Sequence, residues 1–150
     1  MEKLRIREYK PDDKAILLDI LKLNVPQYFA VSEINDFELY LDNEIEKYYV
    51  AELAGQIVGA GGINFDKKEK TGKISWDFIH PDFQGIKVGR KLLKHRIDIL
   101  KSMSEIEHIT VRTSQLAFKF YEKNGFVLIE VKKNYWAEGF DMCGMIYKEG

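Results

Sequence analysis

Ile79-His80-Pro81-Asp82-Phe83-Gln84-Gly85-Ile86-Lys87-Val88-Gly89-Arg90-Lys91-Leu92-Leu93 is the stretch on which the architecture turns. Alternating residues from Lys73 to His80 stop at Pro81, and a short loop with two glycines follows. Helical spacing then runs from Val88 to about Lys101, with Val88, Leu92, Leu93, Ile97 and Leu100 on one face. The first amides of a helix lack intrahelical partners and carry the positive end of its dipole, so this junction suits a phosphate or pyrophosphate. Gly85 and Gly89 let the main chain come close to an anion. The helix carries Lys87, Arg90, Lys91, Lys94, Arg96 and Lys101 against Asp98 alone. The same residues also fit an ordinary corner followed by a solvated helix face. A P-loop is excluded, because it needs four residues between its glycines and then Gly-Lys-Ser/Thr. Here three intervene and Gly89-Arg90-Lys91 follows.

Outward from that junction, strands and helices alternate. A strand is expected from about Lys3 to Tyr9, and Pro11-Asp12-Asp13 opens a helix with Ile16, Leu17, Ile20 and Leu21 on one face. A second helix is expected over Ile34 to Glu46, with Phe37, Leu41 and Ile45 at helical spacing. Tyr48–Leu53 and Gln56–Phe65 flank Ala54-Gly55 and read as a hairpin. In the strand from Lys73 to His80, alternation turns Ile74, Trp76 and Phe78 one way and Ser75, Asp77 and Ile79 the other. Gly59-Ala60-Gly61-Gly62 lies within a strand and opens no helix, so tight packing or a bulge accounts for it better than a dinucleotide fingerprint. After the long helix, Ile106 to Arg112 reads as a strand and Gln115 to Asn124 as a helix, with Ser114 as N-cap and Gly125 as C-cap. Phe126–Val131 and Asp141–Tyr147 form a last pair of strands around a loop holding Trp136. The order implies helices packed on a mixed sheet.

At 150 residues the expectation is one domain, residues 1–150. A chain that is 45% hydrophobic and 31% charged is globular rather than disordered. Its net charge of -1 supplies no general field toward nucleic acid or membrane. The single cysteine, Cys143, excludes an internal disulfide and a cysteine cluster for zinc, and points to a reducing compartment. His80, His95 and His108 are scattered, so no metal is expected. The charged N-terminus lacks the apolar core of a signal peptide, and no run nears the roughly 18 apolar residues of a membrane span. The expected address is cytoplasmic.

The loop resembles the acetyl-CoA loop of the GNAT superfamily of N-acetyltransferases, Gln/Arg-x-x-Gly-x-Gly/Ala, often preceded by His-Pro. Here Ile79-His80-Pro81 precedes Gln84-Gly85-Ile86-Lys87-Val88-Gly89. Lys87 stands where the family's first glycine usually is, which implies a backbone that donates there without positive φ. Ser114-Gln115-Leu116-Ala117-Phe118-Lys119-Phe120-Tyr121-Glu122-Lys123-Asn124-Gly125-Phe126 is similar to the superfamily's Asn-x-x-Ala-x-x-x-Tyr-Glu-Lys-x-Gly-Phe helix, with Ser114 in place of asparagine. The two motifs come in the family's order, and the likeness spans residues 48–131 well and the first 46 in outline. It implies an α/β fold with a GNAT-like mixed, mostly antiparallel sheet of about six to seven strands flanked by about four helices.

The same resemblance implies acetyl-CoA as co-substrate and direct transfer of acetyl to a primary amine. Gln84, Gly85, Ile86, Lys87, Val88, Gly89 and Arg90 then hold the pyrophosphate, and Ser114 and Phe118 meet the cofactor arm. A bulge in the preceding strand frees the amide of Phe78 or Ile79 for the oxyanion. Tyr121 matches the family's tyrosine acid, and a phenol of reference pKa about 10 stays protonated at neutral pH. Packing among Phe118 and Phe120 is the other reading of Tyr121. Asp77 is a candidate base, directly or through water, or else a structural hydrogen-bond partner.

Acceptor clues come from charge. From Glu33 to Glu46 the chain is acidic, with Asp36, Glu38, Asp42 and Glu44 and the aromatics Phe37 and Tyr40, and the later loop adds Trp136, Glu138 and Asp141. These residues suggest a cleft for a cationic amine, a small molecule or a peptide lysine, or equally a solvated helix face. Two other readings stay open: a non-catalytic acyl-CoA sensor, and a protein binding nucleic acid or a partner through its basic helix. Near-neutral charge weighs against nucleic acid. A homodimer is left open.

Overall fold

The computed structural model describes residues 3–85 and 87–148. Seven strands, β1 (Leu4–Glu8), β2 (Lys47–Leu53), β3 (Gln56–Asp66), β4 (Thr71–Ile79), β5 (His108–Thr113), β6 (Phe126–Ala137) and β7 (Phe140–Tyr147), form one sheet in the order β1-β2-β3-β4-β5-β7-β6. Helices α1 (Lys14–Leu23) and α2 (Glu33–Asn43) cover one face, and α3 (Val88–Lys101) and α4 (Phe118–Lys123) the other. All neighbouring strands are antiparallel except β4 and β5. This mixed, mostly antiparallel sheet with four α-helices is the architecture expected from the sequence. Among the described residues, no helix is long and apolar enough to cross a membrane.

The α1 junction follows from local chemistry. Pro11 pre-sets the first turn of a short 3-10 segment, and the Asp13 carboxylate accepts from the Lys10 amide at 2.8 Å. Arg7 of β1 donates to both oxygens of Asp13, at 2.9 and 3.0 Å, which ties the first strand to the first helix. Leu17, Ile20 and Leu21 then meet Phe37, Tyr40 and Leu41 of α2 over Tyr48, Val50, Ala60 and Phe78 of the sheet. On the opposite face, Leu92, Leu93, Ile97 and Leu100 of α3 pack on Tyr49, Ile63, Ile74, Ile109 and Val111. Burying each such side chain contributes about 1.5–3 kcal/mol.

Three sequence expectations change. The helix expected over residues 115–124 starts only at Phe118, because Ser114 heads a turn: its hydroxyl accepts from the Leu116 amide at 3.2 Å and its carbonyl from Ala117 and Phe118. Trp136 lies in β6 and not in a loop, since β6 and β7 run on to a tight turn beside Gly139. The alternation in β4 breaks at a bulge. Ala60 faces Phe78 and Gly62 faces Ser75, so Trp76 and Asp77 together oppose Gly61. Trp76 takes a left-handed conformation (φ 49°) at this extra residue. The bulge inverts the parity of the strand: Ile74 joins the α3 face, Trp76 and Phe78 join the α1–α2 face, and Asp77 turns toward α3.

Candidate active site

The single parallel pairing creates the site. β4 and β5 pair only from Thr71–Ile74 to His108–Val111, while β5 goes on pairing with β7 as far as Thr113. Beyond Ile74 the two strands diverge, and the gap between them is the mouth of a cavity of about 1050 Å³. Its walls are the end of β4, the start of α3, the Ser114 turn, α4 and the segment from Asn24 to Glu33.

The strand end presents a defined amide. The His80 amide donates to Val58 O at 2.8 Å, so residue 79 faces Gly59 in a pair that exchanges no hydrogen bonds. The main-chain groups of Ile79 therefore point away from β3, toward the gap, and its carbonyl accepts from Asn24 Nδ2 at 3.1 Å. The Phe78 amide points to β3, and its ring is buried among Phe29 and Phe37. Of the two amides the sequence named, Ile79's is the one that faces the gap.

The loop after β4 has a short 3-10 turn, Pro81–Phe83, capped by His80 Nδ1 accepting from the Asp82 amide at 3.1 Å. Gln84, Gly85, Lys87, Val88, Gly89 and Arg90 all border the cavity. Ile86 lies outside the described residues. Gly85 has φ 85° and open space around it. Lys87 has φ 69°, so the expectation that this position avoids positive φ is overturned; the left-handed turn survives with a lysine in it. Gly89 is helical, and an added Cβ would stand 3.3 Å from the Phe120 ring, so its bareness lets α3 approach α4. The α3 start offers first-turn amides with no side-chain cap, and Lys87 and Arg90 are exposed beside it. This donor set fits a diphosphate. Phe118, expected at the cofactor arm, packs against the α3-side core, and Phe120 borders the cavity in its place.

Tyr121 and Asp77 meet inside the cavity wall. The Tyr121 hydroxyl donates to Asp77 Oδ2 at 2.7 Å, and Asp77 Oδ1 accepts from Arg96 Nη1. Burial, then the Asp77 charge, holds the Tyr121 phenol well above its ordinary value, so it stays protonated. Both Asp77 oxygens thus hold a protein partner, while the residue still borders the cavity. Arg96 was counted from sequence among the cations of the basic helix face; it points the other way and is fully buried. Burial alone would lower its guanidinium, but the Asp77 charge and hydrogen bond, together with Tyr121 and Tyr48, raise it on balance. Its role was not legible in the sequence, because at the spacing of Leu92 and Leu100 an arginine reads as a misplaced surface charge.

The acidic stretch is largely absorbed elsewhere. Glu38 and Asp42 pair with Lys14, and Glu46 accepts from Asn64 and Phe65. Asp141 accepts from the Asn134 amide at 2.9 Å. Of that stretch, Glu33 and Glu44 border the cavity, together with Lys73 and Arg112. Glu33 is buried, accepts from the Ala30 amide at 2.8 Å, and is raised above the usual carboxylate range by desolvation. Trp136 also borders the cavity, its indole donating to Thr113 O at 3.1 Å. Among the described residues no cluster of His, Cys, Asp or Glu is placed to hold a metal.

The chain is similar to known proteins along nearly its whole length. The family profile described as an acetyltransferase (GNAT) domain matches residues 13–149. An N-alpha-acetyltransferase from Sulfurisphaera tokodaii is 26% identical, over 91% of this chain and 88% of the relative. Ard1 from Thermoplasma volcanium superposes with a TM-score of 0.76 at 22% identity, covering 97% and 99% of the two chains. Spermidine N-acetyltransferase from Vibrio cholerae, in complex with CoA and spermine, superposes with a TM-score of 0.72 at 16% identity, covering 95% and 94%.

Proposed function

The chain belongs to the GNAT family of acetyltransferases, and from that premise we propose that its acceptor is the α-amine of a polypeptide. It is an N-acetyltransferase with acetyl-CoA as co-substrate, which supplies an activated acetyl thioester. The observation that carries the choice of acceptor is the charge of the cleft. With Lys87 and Arg90 given to the diphosphate and Arg96 paired to Asp77, Glu33 and Glu44 there are offset by Lys73, Arg112 and Lys123, a setting that suits one ammonium on an otherwise neutral chain better than a polycation. The curated relative named an N-alpha-acetyltransferase supports the same class.

In this reading the Ile79 amide, fixed at the strand end, donates to the carbonyl oxygen as charge builds on it. The α3 start, with Gln84, Gly85, Lys87 and Arg90 around it, holds the diphosphate. Glu33 attracts the ammonium and, raised by burial, takes its proton. As the N–C bond forms and the C–S bond breaks, the Tyr121 hydroxyl turns from Asp77 to the departing sulfur and gives it the proton, and solvent restores the phenol. Asp77, paired with Arg96 and accepting from Tyr121, takes the positioning role in this reading, and Glu33 that of the base.

A panel of acceptors tests the assignment: a peptide with a free N-terminus, the same peptide N-formylated with an internal lysine, spermidine, and an aminoglycoside. The free N-terminus gives the highest kcat/KM. Preference for spermidine or for the lysine of the blocked peptide refutes it.

A further inference from the structure

We infer that Arg96 is a positioning residue for acetyl transfer, acting from beneath the sheet through Asp77 on the Tyr121 hydroxyl. The inference rests on the role given to Tyr121 above. Arg96 is anchored twice on main chain, Nε donating to Leu92 O at 3.2 Å and Nη1 to Gly62 O at 3.1 Å, before Nη1 reaches Asp77. The path is a continuous one: α3 backbone, guanidinium, carboxylate, phenol, cavity.

Two further features mark this path as built. The guanidinium occupies space that exists because residue 61 has no side chain: a Cβ on Gly61 would stand 2.7 Å from Arg96 Nη1 and closer still to Asp77 Oδ1. Asp77 itself faces α3 only because the bulge inverts β4, and the bulge is pinned from both faces. Tyr48 donates to Trp76 O at 2.8 Å on one side, and Arg96 holds Gly62 O and Asp77 on the other. Stability alone does not account for the arrangement. A buried ion pair is commonly no more stable than apolar residues of the same volume. Arg96 also leaves Nη2 buried with no hydrogen-bond partner among the described residues. What the charge secures is the position of Asp77, and through it the position of the Tyr121 oxygen at the cavity wall.

A double-mutant cycle tests this. With acetyl-CoA and the best amine of the panel, Tyr121→Phe and Arg96→Met each lower kcat by about 10²-fold, with KM for acetyl-CoA unchanged. The two together lose no more than Tyr121→Phe alone, because Arg96 acts through the phenol. Arg96→Lys, which keeps the charge but not the fork, recovers part of kcat. Losses that multiply in the double variant assign Arg96 a structural role and overturn the inference while leaving Tyr121 as the acid. An unimpaired Tyr121→Phe overturns both readings. Should Arg96→Met fail to fold with Asp77 left unpaired, Arg96→Met with Asp77→Leu removes both charges. That pair is expected to match Tyr121→Phe in kcat and to lose nothing further when Tyr121→Phe is added; a further loss refutes the path.

Discussion

Lys87 sits in a conformation that suits glycine. Its φ of 69° places Cβ near the following carbonyl, at a cost of about 1–2 kcal/mol for an L-residue. The position also carries a cation beside the first turn of α3, where an anion is expected. Lys87→Gly separates these effects. The strain goes, while the unfolded chain gains freedom, so the net gain is about 0.5–1 kcal/mol, or about 1–4 °C for a domain of this size. Thermal unfolding without ligand measures that gain, and calorimetric titration with CoA measures the accompanying loss of affinity. A melting temperature that falls in the variant means that the turn is not strained. Such a conformation was not legible in the sequence, because a lysine in place of a loop glycine argues against positive φ until the backbone is seen.

At the scale of elements, the β1–α1 junction turns on one carboxylate. Arg7, by hydrogen bond first, holds Asp13 below the usual carboxylate range against the opposing effect of its burial. The folded group thus binds its proton less readily than the unfolded one. Its contribution is complete above the unfolded pKa of about 3.9 and is lost as pH falls through the lowered folded value. Asp13→Asn removes the charge but keeps the shape, and costs about 1–3 kcal/mol at neutral pH. Urea midpoints measured from pH 2 to 7 check the sign: wild type and variant converge at the acid end and separate as pH rises, whereas parallel curves exclude the linkage. The elements themselves were largely legible. The apolar spacing of Val88 to Leu100 is that of α3 in the structure, and Ala54-Gly55 is the turn between β2 and β3. What alternation could not supply was the bulge. One extra residue at Trp76 moves Asp77 to the other face, and with it the partnership with Tyr121 and Arg96 that no local pattern contains. The cap of α4 was misread for a similar reason: Ser114 bonds two residues on, and that bond serves a turn as readily as a helix.

For the whole molecule, the decisive fact is that the sheet is two antiparallel halves joined by four parallel pairs, Thr71–Ile74 with His108–Val111. Past those pairs the halves lean apart, and among the described residues the α3-side core, with Ile63 and Ile74 on one half and Ile109, Val111 and Met145 on the other, spans them. A ligand seated in the gap touches both halves, from Ile79 and α3 on one side to Ser114 and α4 on the other, so its binding energy adds directly to their association. At a concentration a hundredfold above Kd this is worth about 2.7 kcal/mol of global stability. The added protection should not be uniform. Hydrogen exchange with saturating CoA is expected to slow most at the Ile79 amide, the first turn of α3 and the strand β5. The amides of β1 and the β1-facing side of β2, which lie at the far edge of the sheet, exchange as before unless they open only by global unfolding. A thermal shift with protection confined to the β4–β5 gap places the co-substrate in the splay; protection centred on another face of the sheet moves the site elsewhere and takes the roles of Ile79 and Tyr121 with it.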